Sequence, residues 1–132
     1  MRETRAAIVE ARDGLLFVRI RAGVRQTLDD ARANLEACAV ESGGRRAGVL
    51  LDITHAVPLD PPVRHYYTGP AVEDVCSALA LLVQMNPLGQ VLGNIYLRVA
   101  RLDMPTQIFQ QEAKAVAWLR ATDAARGQGP RA

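Results

Sequence analysis

Two short apolar runs limit most strongly what this chain can fold into. Ala47–Ile53 and Ala78–Val83 are almost uninterrupted in apolar side chains and are too short to be core helices. A strand buried on both faces has this composition, and such strands belong to parallel sheets that helices cover on each side. The sequence therefore predicts a parallel sheet in which these two segments are inner strands.

A hairpin signal lies near the N-terminus, where Asp13-Gly14 separates the runs Ala6–Arg12 and Leu15–Arg21. This dipeptide favours a two-residue type I′ turn, because both central residues of that turn take positive φ. Such a turn pairs Ala11 with Leu16, Val9 with Val18 and Ala7 with Ile20. These pairs are all apolar, so we expect an antiparallel hairpin with one covered face.

Capping residues mark the helices that follow. Thr27 and Asp30 form the pattern of a capping box, and Gly43-Gly44 ends the helix that begins there. Asp60 and Pro61 predict a second helix start, with the aspartate as N-cap and proline in the first helical position.

Four further elements complete the prediction. They are a helical piece at Ala71–Val75, a helix opening at Asn86, a strand at Pro105–Phe109 and a helix at Gln110–Ala121. The inward side of the last helix is expected to carry Ala113, Val116, Ala117 and either Trp118 or Leu119. Alternating strands and helices give an α/β fold, here a mostly parallel sheet with an N-terminal antiparallel hairpin and about four helices. We expect one domain over residues 1–122 and a disordered tail over residues 123–132.

Charge and composition exclude several classes of function. All but one of the 16 basic residues are arginine, and with 14 acidic residues they leave a net charge of +2. The arginines are spread among acidic residues, whereas a nucleic-acid-binding protein gathers its basic residues on one stripe. No apolar run approaches the ~20 residues of a membrane helix, and the N-terminus lacks the apolar core of a signal peptide. We therefore predict a cytoplasmic protein that binds neither nucleic acid nor membrane.

Cys38 and Cys76 are too few for a disulfide scaffold and have no second Cys or His at metal-ligand spacing. Both lie among apolar neighbours, which favours packing as small apolar side chains. The sequence accordingly predicts no metal and no cofactor.

The residues best placed for chemistry follow the Ala47–Ile53 strand, because ligands of such sheets bind at the carboxyl ends of the strands. Asp52 and His55 could act there as an acid and a base. However, an aspartate that ends a strand more often caps a turn, and no G-x-S-x-G, phosphate-binding glycine loop or H-E-x-x-H accompanies the pair. We therefore predict no catalytic residues and rank an enzyme third among the functions considered.

His65, Tyr66 and Tyr67 are consecutive, so they cannot all face one core. Ordinary half-buried packing is the first interpretation of these residues, but tyrosine is enriched at protein interfaces, so a partner or self-association surface is the alternative. The candidate partner surface consists of Thr54, His55, Asp60, Arg64, Tyr66 and Tyr67.

Three segments carry a resemblance to a known family. They are Val49–Ile53, Asn86–Tyr96, and Pro105–Phe109 with Glu112-Ala113 and Trp118-Leu119, and with their spacing they span residues 6–121. They resemble the SpoIIAA-like fold of STAS domains, which are anti-sigma-factor antagonists. They resemble more closely small bacterial STAS-like proteins of unassigned function that are related to the CRAL-TRIO lipid-binding fold.

One departure from this family bears on function. Partner-switching STAS proteins carry a phosphorylatable serine after an aspartate at the start of the helix that follows the matching strand. Here Asp60 matches that aspartate, but Pro61 stands where the serine would be. Thr54 is a candidate for phosphorylation, but it does not occupy the position of the serine. The resemblance therefore implies a protein-interaction surface without the usual phosphorylation switch.

These observations rank the functions. A non-enzymatic, regulatory protein-interaction module comes first, and a carrier of a small apolar ligand or lipid, held between the sheet and the Asp60–Val75 segment, is the alternative. A homodimer is expected because Ile8, Leu15 and Phe17 lie on the outer face of the hairpin among charged residues.

Overall fold

The computed structural model describes residues 1–83 and 104–127. In this part of the chain six strands form one sheet in chain order: β1 (Arg2–Glu3), β2 (Ala7–Arg12), β3 (Leu15–Ile20), β4 (Ala47–Asp52), β5 (Cys76–Leu82) and β6 (Thr106–Phe109). Its helices are α1 (Leu28–Glu41), α2 (Pro61–Tyr67), α3 (Pro70–Glu73) and α4 (Glu112–Gly127). The strands β1 to β3 pair antiparallel, whereas β3 to β6 pair parallel. The predicted α/β fold class is confirmed.

The hairpin has the predicted register. Ala11 pairs with Leu16, Val9 with Val18, and Ala7 with Ile20. Asp13 and Gly14 both take positive φ, at 51° and 83°, as the type I′ turn requires. The edge strand β1 was not predicted, because its two residues are charged and carry no apolar alternation.

Helices cover both faces of the sheet, and the two faces hold separate apolar clusters. On one face, α1 and α3 pack over β2 to β5, with Cys38, Val49 and Leu79 among the buried residues. On the other face, Ala115 and Leu119 of α4 pack against side chains of β3, β4 and β5. The central strands are thus buried on both sides, as their apolar sequences predict.

A glycine in β4 lets α4 approach the sheet closely. A Cβ atom at Gly48 would lie 3.1 Å from Cδ2 of Leu15 and 3.3 Å from Cδ2 of Leu119. Any larger residue would therefore push the Leu119 side chain away from the sheet.

This packing corrects two expectations. Leu15 is only 2% exposed because α4 covers it, and Phe17 and Ile8 are half-buried, so the outer face of the hairpin is not an exposed apolar patch. The homodimer therefore stays a prediction without that support. In α4 the buried pair is Ala115 and Leu119, whereas the predicted inward residues Ala113 and Ala117 are exposed.

The boundaries of several elements differ from the predicted ones. The last helix continues to Gly127, beyond the predicted end at Ala121, so the predicted tail begins within it. Residues 128–132 lie outside the described part, and the disordered tail stays a prediction. The predicted helix that opens at Asn86 also lies outside the described residues.

The start of α1 is fixed by the predicted capping box together with an ion pair. Thr27 Oγ1 accepts a hydrogen bond from the backbone N–H of Asp30 at 3.2 Å, and the Thr27 N–H donates to Asp30 Oδ2 at 2.8 Å. Arg5, next to the edge of the sheet, donates from Nε to Asp30 Oδ1 at 2.9 Å. These bonds, the one from Arg5 foremost, lower the pKa of the buried Asp30 carboxyl from 3.8 to about 2.

Replacing Asp30 should therefore destabilise the domain in a pH-dependent way. The folded-state pKa lies below the unfolded one, so the contribution is present above pH 3.8 and is lost as pH falls through about 2. We expect Asp30→Ala to lower the free energy of unfolding by about 1–2 kcal/mol at pH 7, as for other lost N-terminal caps. Urea denaturation measures this loss, and the difference from the unsubstituted protein should shrink as pH falls from 5 towards 2.

Asp29→Ala is the matched control for this prediction. It removes the same charge from the same turn, but Asp29 is exposed and pairs with the exposed Arg32. Its effect should be small at every pH, and equal losses from both variants would contradict the role assigned to Asp30.

Candidate functional site

A cavity of about 90 Å³ lies between the sheet and the helices α1, α2 and α3. We call it the central cavity. Its lining is almost wholly apolar and comes from β3, β4, β5 and all three helices, with Leu35, Val49, Leu59, Val72 and Leu79 among the contributing side chains. The central cavity therefore lies between the sheet and the Asp60–Val75 segment. This is the location that the alternative function, a carrier of an apolar ligand, predicts for its ligand.

Three polar side chains meet at one side of the central cavity. The Tyr67 hydroxyl donates to Gln26 Oε1 at 2.6 Å and accepts from Asn34 Nδ2 at 3.0 Å, and Asn34 Nδ2 also lies 3.2 Å from Gln26 Oε1. Gln26 is 5% exposed and Asn34 is 3% exposed. We call Gln26, Asn34 and Tyr67 the polar triad. Because its members satisfy one another, these polar groups can stay buried beside an apolar space.

The edge of the sheet holds the polar triad in place. Thr4 Oγ1 donates to Asn34 Oδ1, so the amide of Asn34 is bonded at both of its ends. Burial raises the pKa of the Tyr67 phenol above its usual range, and the hydroxyl stays a neutral hydrogen-bonding group at physiological pH.

Both cysteines line the central cavity, as the predicted packing role requires. Cys38 lies on α1 and Cys76 begins β5, and both are buried. Burial raises the pKa of Cys38 to about 11 and that of Cys76 to about 12. Since the thiolate is the nucleophilic form, these neutral thiols contribute apolar lining and not reactivity.

Asp60 departs from its predicted capping role. It occupies the N-cap position of α2, but its side chain makes no capping hydrogen bond. Its carboxylate instead accepts from Arg25 Nε at 2.8 Å and from Arg25 Nη2 at 3.0 Å, which holds the pKa of Asp60 below its usual value. A two-pronged bond of this kind is geometrically specific, and it ties the start of α2 to the segment before α1.

An open groove of about 540 Å³ runs past this ion pair between the first turns of α1 and α2. We call it the α1–α2 groove. Both walls of the groove carry apolar and charged side chains. Leu28, Asp29 and Arg32 form one wall, and Asp60, Pro62 and Val63 form the other. Gln26 lines both this groove and the central cavity, so the two spaces share one side chain.

The six residues of the predicted partner surface do not form one continuous site. Tyr67 and Arg64 line the central cavity, and Asp60 lines the α1–α2 groove. Tyr66 is half-buried, with its ring 5.9 Å from Cζ of Arg32. His55 and His65 are exposed, and Thr54 is half-buried. Contact of these residues with a partner stays a prediction.

Asp52 caps the turn that follows β4, which is the structural alternative to a catalytic role. Its Oδ1 accepts from the backbone N–H of Thr54 at 3.0 Å, and Oδ2 lies 3.6 Å from Arg19 Nε. In the described part of the chain, no hydrogen bond joins Asp52 to His55. The observed geometry thus gives Asp52 a structural task at the end of β4.

Two residues of the polar triad were not predicted as site residues. Asn34 interrupts the apolar stripe of α1, and a polar residue at such a position signals a buried hydrogen-bond partner. Gln26 gives no such signal, because it precedes the helix in a segment without periodicity. Their shared partner Tyr67 is 33 residues from Asn34, so local sequence patterns do not reveal the contact.

Two kinds of feature are absent from residues 1–83 and 104–127. No group of three or more His, Cys, Asp or Glu side chains is arranged to hold a metal ion. In the same residues, no helix has both the length and the apolar character needed to cross a bilayer.

The chain is similar to a family and to a solved structure. The sequence pattern of the family described as Domain of unknown function (DUF7793) matches residues 9–123. An uncharacterized protein from the DUF3478 family with a SpoIIAA-like fold, from Shewanella loihica PV-4, is similar in structure, with a TM-score of 0.61 and 16% sequence identity over 90% of this chain and 98% of that chain. At this identity the likeness shows the fold alone, and the predicted SpoIIAA-like fold is confirmed. No curated protein matches the sequence.

The polar triad predicts a sharp difference between two adjacent tyrosines. Tyr67→Phe removes the hydroxyl that bonds Gln26 and Asn34, and unsatisfied buried amides cost about 1–3 kcal/mol. Tyr66→Phe is the matched control, because in the described residues no hydrogen bond is made by its hydroxyl. We expect chemical denaturation to show a loss of this size for Tyr67→Phe and almost none for Tyr66→Phe. Equal free energies of unfolding in the two variants would contradict the triad.

Proposed function

The chain belongs to the family described as Domain of unknown function (DUF7793), and we propose that its domain is a non-enzymatic module that binds a small apolar ligand in the central cavity. The family match at residues 9–123 includes every described residue that lines the cavity, from Val18 to Leu79. The single observation that carries the proposal is this apolar space with its satisfied polar triad.

The free energy of an empty cavity supports this function. Protein interiors pack as densely as organic crystals, with few voids larger than a water molecule. Space left unfilled in an apolar core costs stability in proportion to its volume, so an apolar space of about 90 Å³ is unfavourable unless a ligand or a side chain fills it. An apolar ligand would offset that cost by restoring the missing contacts, whereas water would find few polar partners along the lining.

The volume of the central cavity limits the size of the ligand that this conformation can hold. A cavity of about 150 Å³ admits benzene, whereas drug-sized ligands occupy about 300–1,000 Å³. The central cavity, at about 90 Å³, therefore fits an apolar group of about four heavy atoms. A whole lipid would require α2 and α3 to move, so we propose a small ligand in place of the predicted lipid.

Filling the cavity should abolish binding and stabilise the protein. Val72 lies on α3 and lines the space, so Val72→Leu adds a methylene group inside it. We expect the melting temperature to rise, with a gain of about 0.5–1 kcal/mol, and saturable NMR shifts with isobutanol to disappear. The unsubstituted protein should show those shifts at amides that surround the cavity.

Val40→Leu is the control for this experiment, since it adds the same group at a side chain that is 47% exposed. It should leave both stability and isobutanol binding unchanged. If the folded, unsubstituted protein shows no saturable shifts with isobutanol, the proposed function is wrong.

A second candidate function is the predicted interaction module, and the α1–α2 groove favours a second copy of this chain as the partner. Its walls carry Arg25 and Arg32 together with Asp29 and Asp60, so cations and anions are equal in number. These charges pair within the chain, and a surface with both signs of charge can meet a second copy of itself across a twofold axis without like charges opposing each other, which is the geometry of most homodimers. Apolar contact would come from Leu28 and Pro62.

This candidate predicts that a charge in the groove weakens self-association. Leu28→Glu should raise the dimer dissociation constant at least about tenfold, because it buries an unpaired carboxylate in the contact. Val40→Glu, at the other end of α1, should leave the constant unchanged. Analytical ultracentrifugation measures both variants, and a protein that sediments as a monomer at all concentrations would exclude the homodimer.

A further inference from the structure

Arg64 differs from the other arginines around α1 and α2. Arg5, Arg25 and Arg32 are paired with Asp30, Asp60 and Asp29 respectively. Arg64 lies in the last turn of α2, is half-buried and lines the central cavity. Within residues 1–83 and 104–127, its side chain makes no ion pair and no hydrogen bond.

Because the lining of the central cavity is almost wholly apolar, Arg64 contributes mainly its hydrocarbon stem to it, and its charged group lies at the margin of the space. A guanidinium without an ion partner can bind a carboxylate through two parallel hydrogen bonds. We infer that the ligand of the central cavity is a small monocarboxylate, with its carboxylate on Arg64 and its apolar tail inside. This inference rests on the proposed function and adds the chemical class of the ligand.

The charges of the site favour one negative charge on the ligand. A phosphate monoester carries about −1.5 to −2 charges at neutral pH, which one arginine does not balance. Arg25 does not supply the missing charge, since both of its bonds go to Asp60. A carboxylate has one charge and matches the planar fork of a single guanidinium.

The polar triad decides which end of the ligand enters. The Tyr67 hydroxyl and the amides of Gln26 and Asn34 bond to one another. The charged group of the ligand therefore gains little binding free energy from the polar triad and gains most of it from Arg64. The remaining lining is apolar, and its volume suits the branched tail of a short carboxylic acid.

A pair of isosteric ligands tests the assignment. Isobutyrate and isobutyramide have the same carbon skeleton but differ in charge, so calorimetric titration of both isolates the contribution of the carboxylate. We expect the unsubstituted protein to bind isobutyrate at least about tenfold more tightly than the amide, since hydrogen bonds to charged groups are the stronger ones. Arg64→Gln should remove this difference, and Arg64→Lys should retain part of it.

Arg45→Gln is the matched control, because it removes the same charge from an exposed residue that does not line the cavity. It should keep the preference for isobutyrate. Circular dichroism melting of each variant confirms that it is folded before titration.

The outcomes separate this inference from the function on which it rests. If both ligands bind equally to the unsubstituted protein and Arg64→Gln changes neither affinity, the carboxylate assignment is overturned while the cavity function stands. If neither ligand binds and isobutanol also fails to bind, the proposed function itself is wrong.

Discussion

The hydroxyl group of Tyr67 connects the short helix α2 to the rest of the domain. It bonds Gln26, in the segment before α1, and Asn34, on α1 itself. A helix of seven residues has too few internal hydrogen bonds to be stable alone, so α2 depends on contacts of this kind. With its polar groups satisfied, α2 is held beside the sheet without filling the apolar space between them.

The polar triad depends in turn on the N-terminal edge of the sheet. Thr4 bonds the amide of Asn34, and Arg5 bonds the carboxylate that caps α1. Arg5 also donates to the backbone carbonyl of Arg25 at 2.8 Å, next to Gln26 in the chain. Two residues between β1 and β2 therefore help to set the position of α1 and of the segment before it, and through them the shape of the central cavity.

Much of the fold could be predicted because its determinants are local. The turn at Asp13-Gly14 sets the register of the six residue pairs between β2 and β3, and the capping box at Thr27 sets the first residue of α1. Contacts between distant residues could not be predicted in this way. Tyr67 bonds Gln26, which is 41 positions away. The local sequence of Asp60 indicates a helix cap, but its carboxylate instead pairs with Arg25, 35 positions away. The burial of Leu15 has the same origin, since the covering helix α4 comes almost a hundred residues later.

The two ends of α2 are attached to the segment before α1 and to α1 itself by interactions of different strength. At the first turn, the bond between Arg25 and Asp60 is exposed to solvent, and salt screens exposed ion pairs. At the last turn, the Tyr67 hydroxyl lies among buried amides, where loss of a bond leaves polar groups unsatisfied. Gln26, the side chain common to the α1–α2 groove and the central cavity, follows Arg25 in the chain and bonds Tyr67, so it lies between the two attachments of α2.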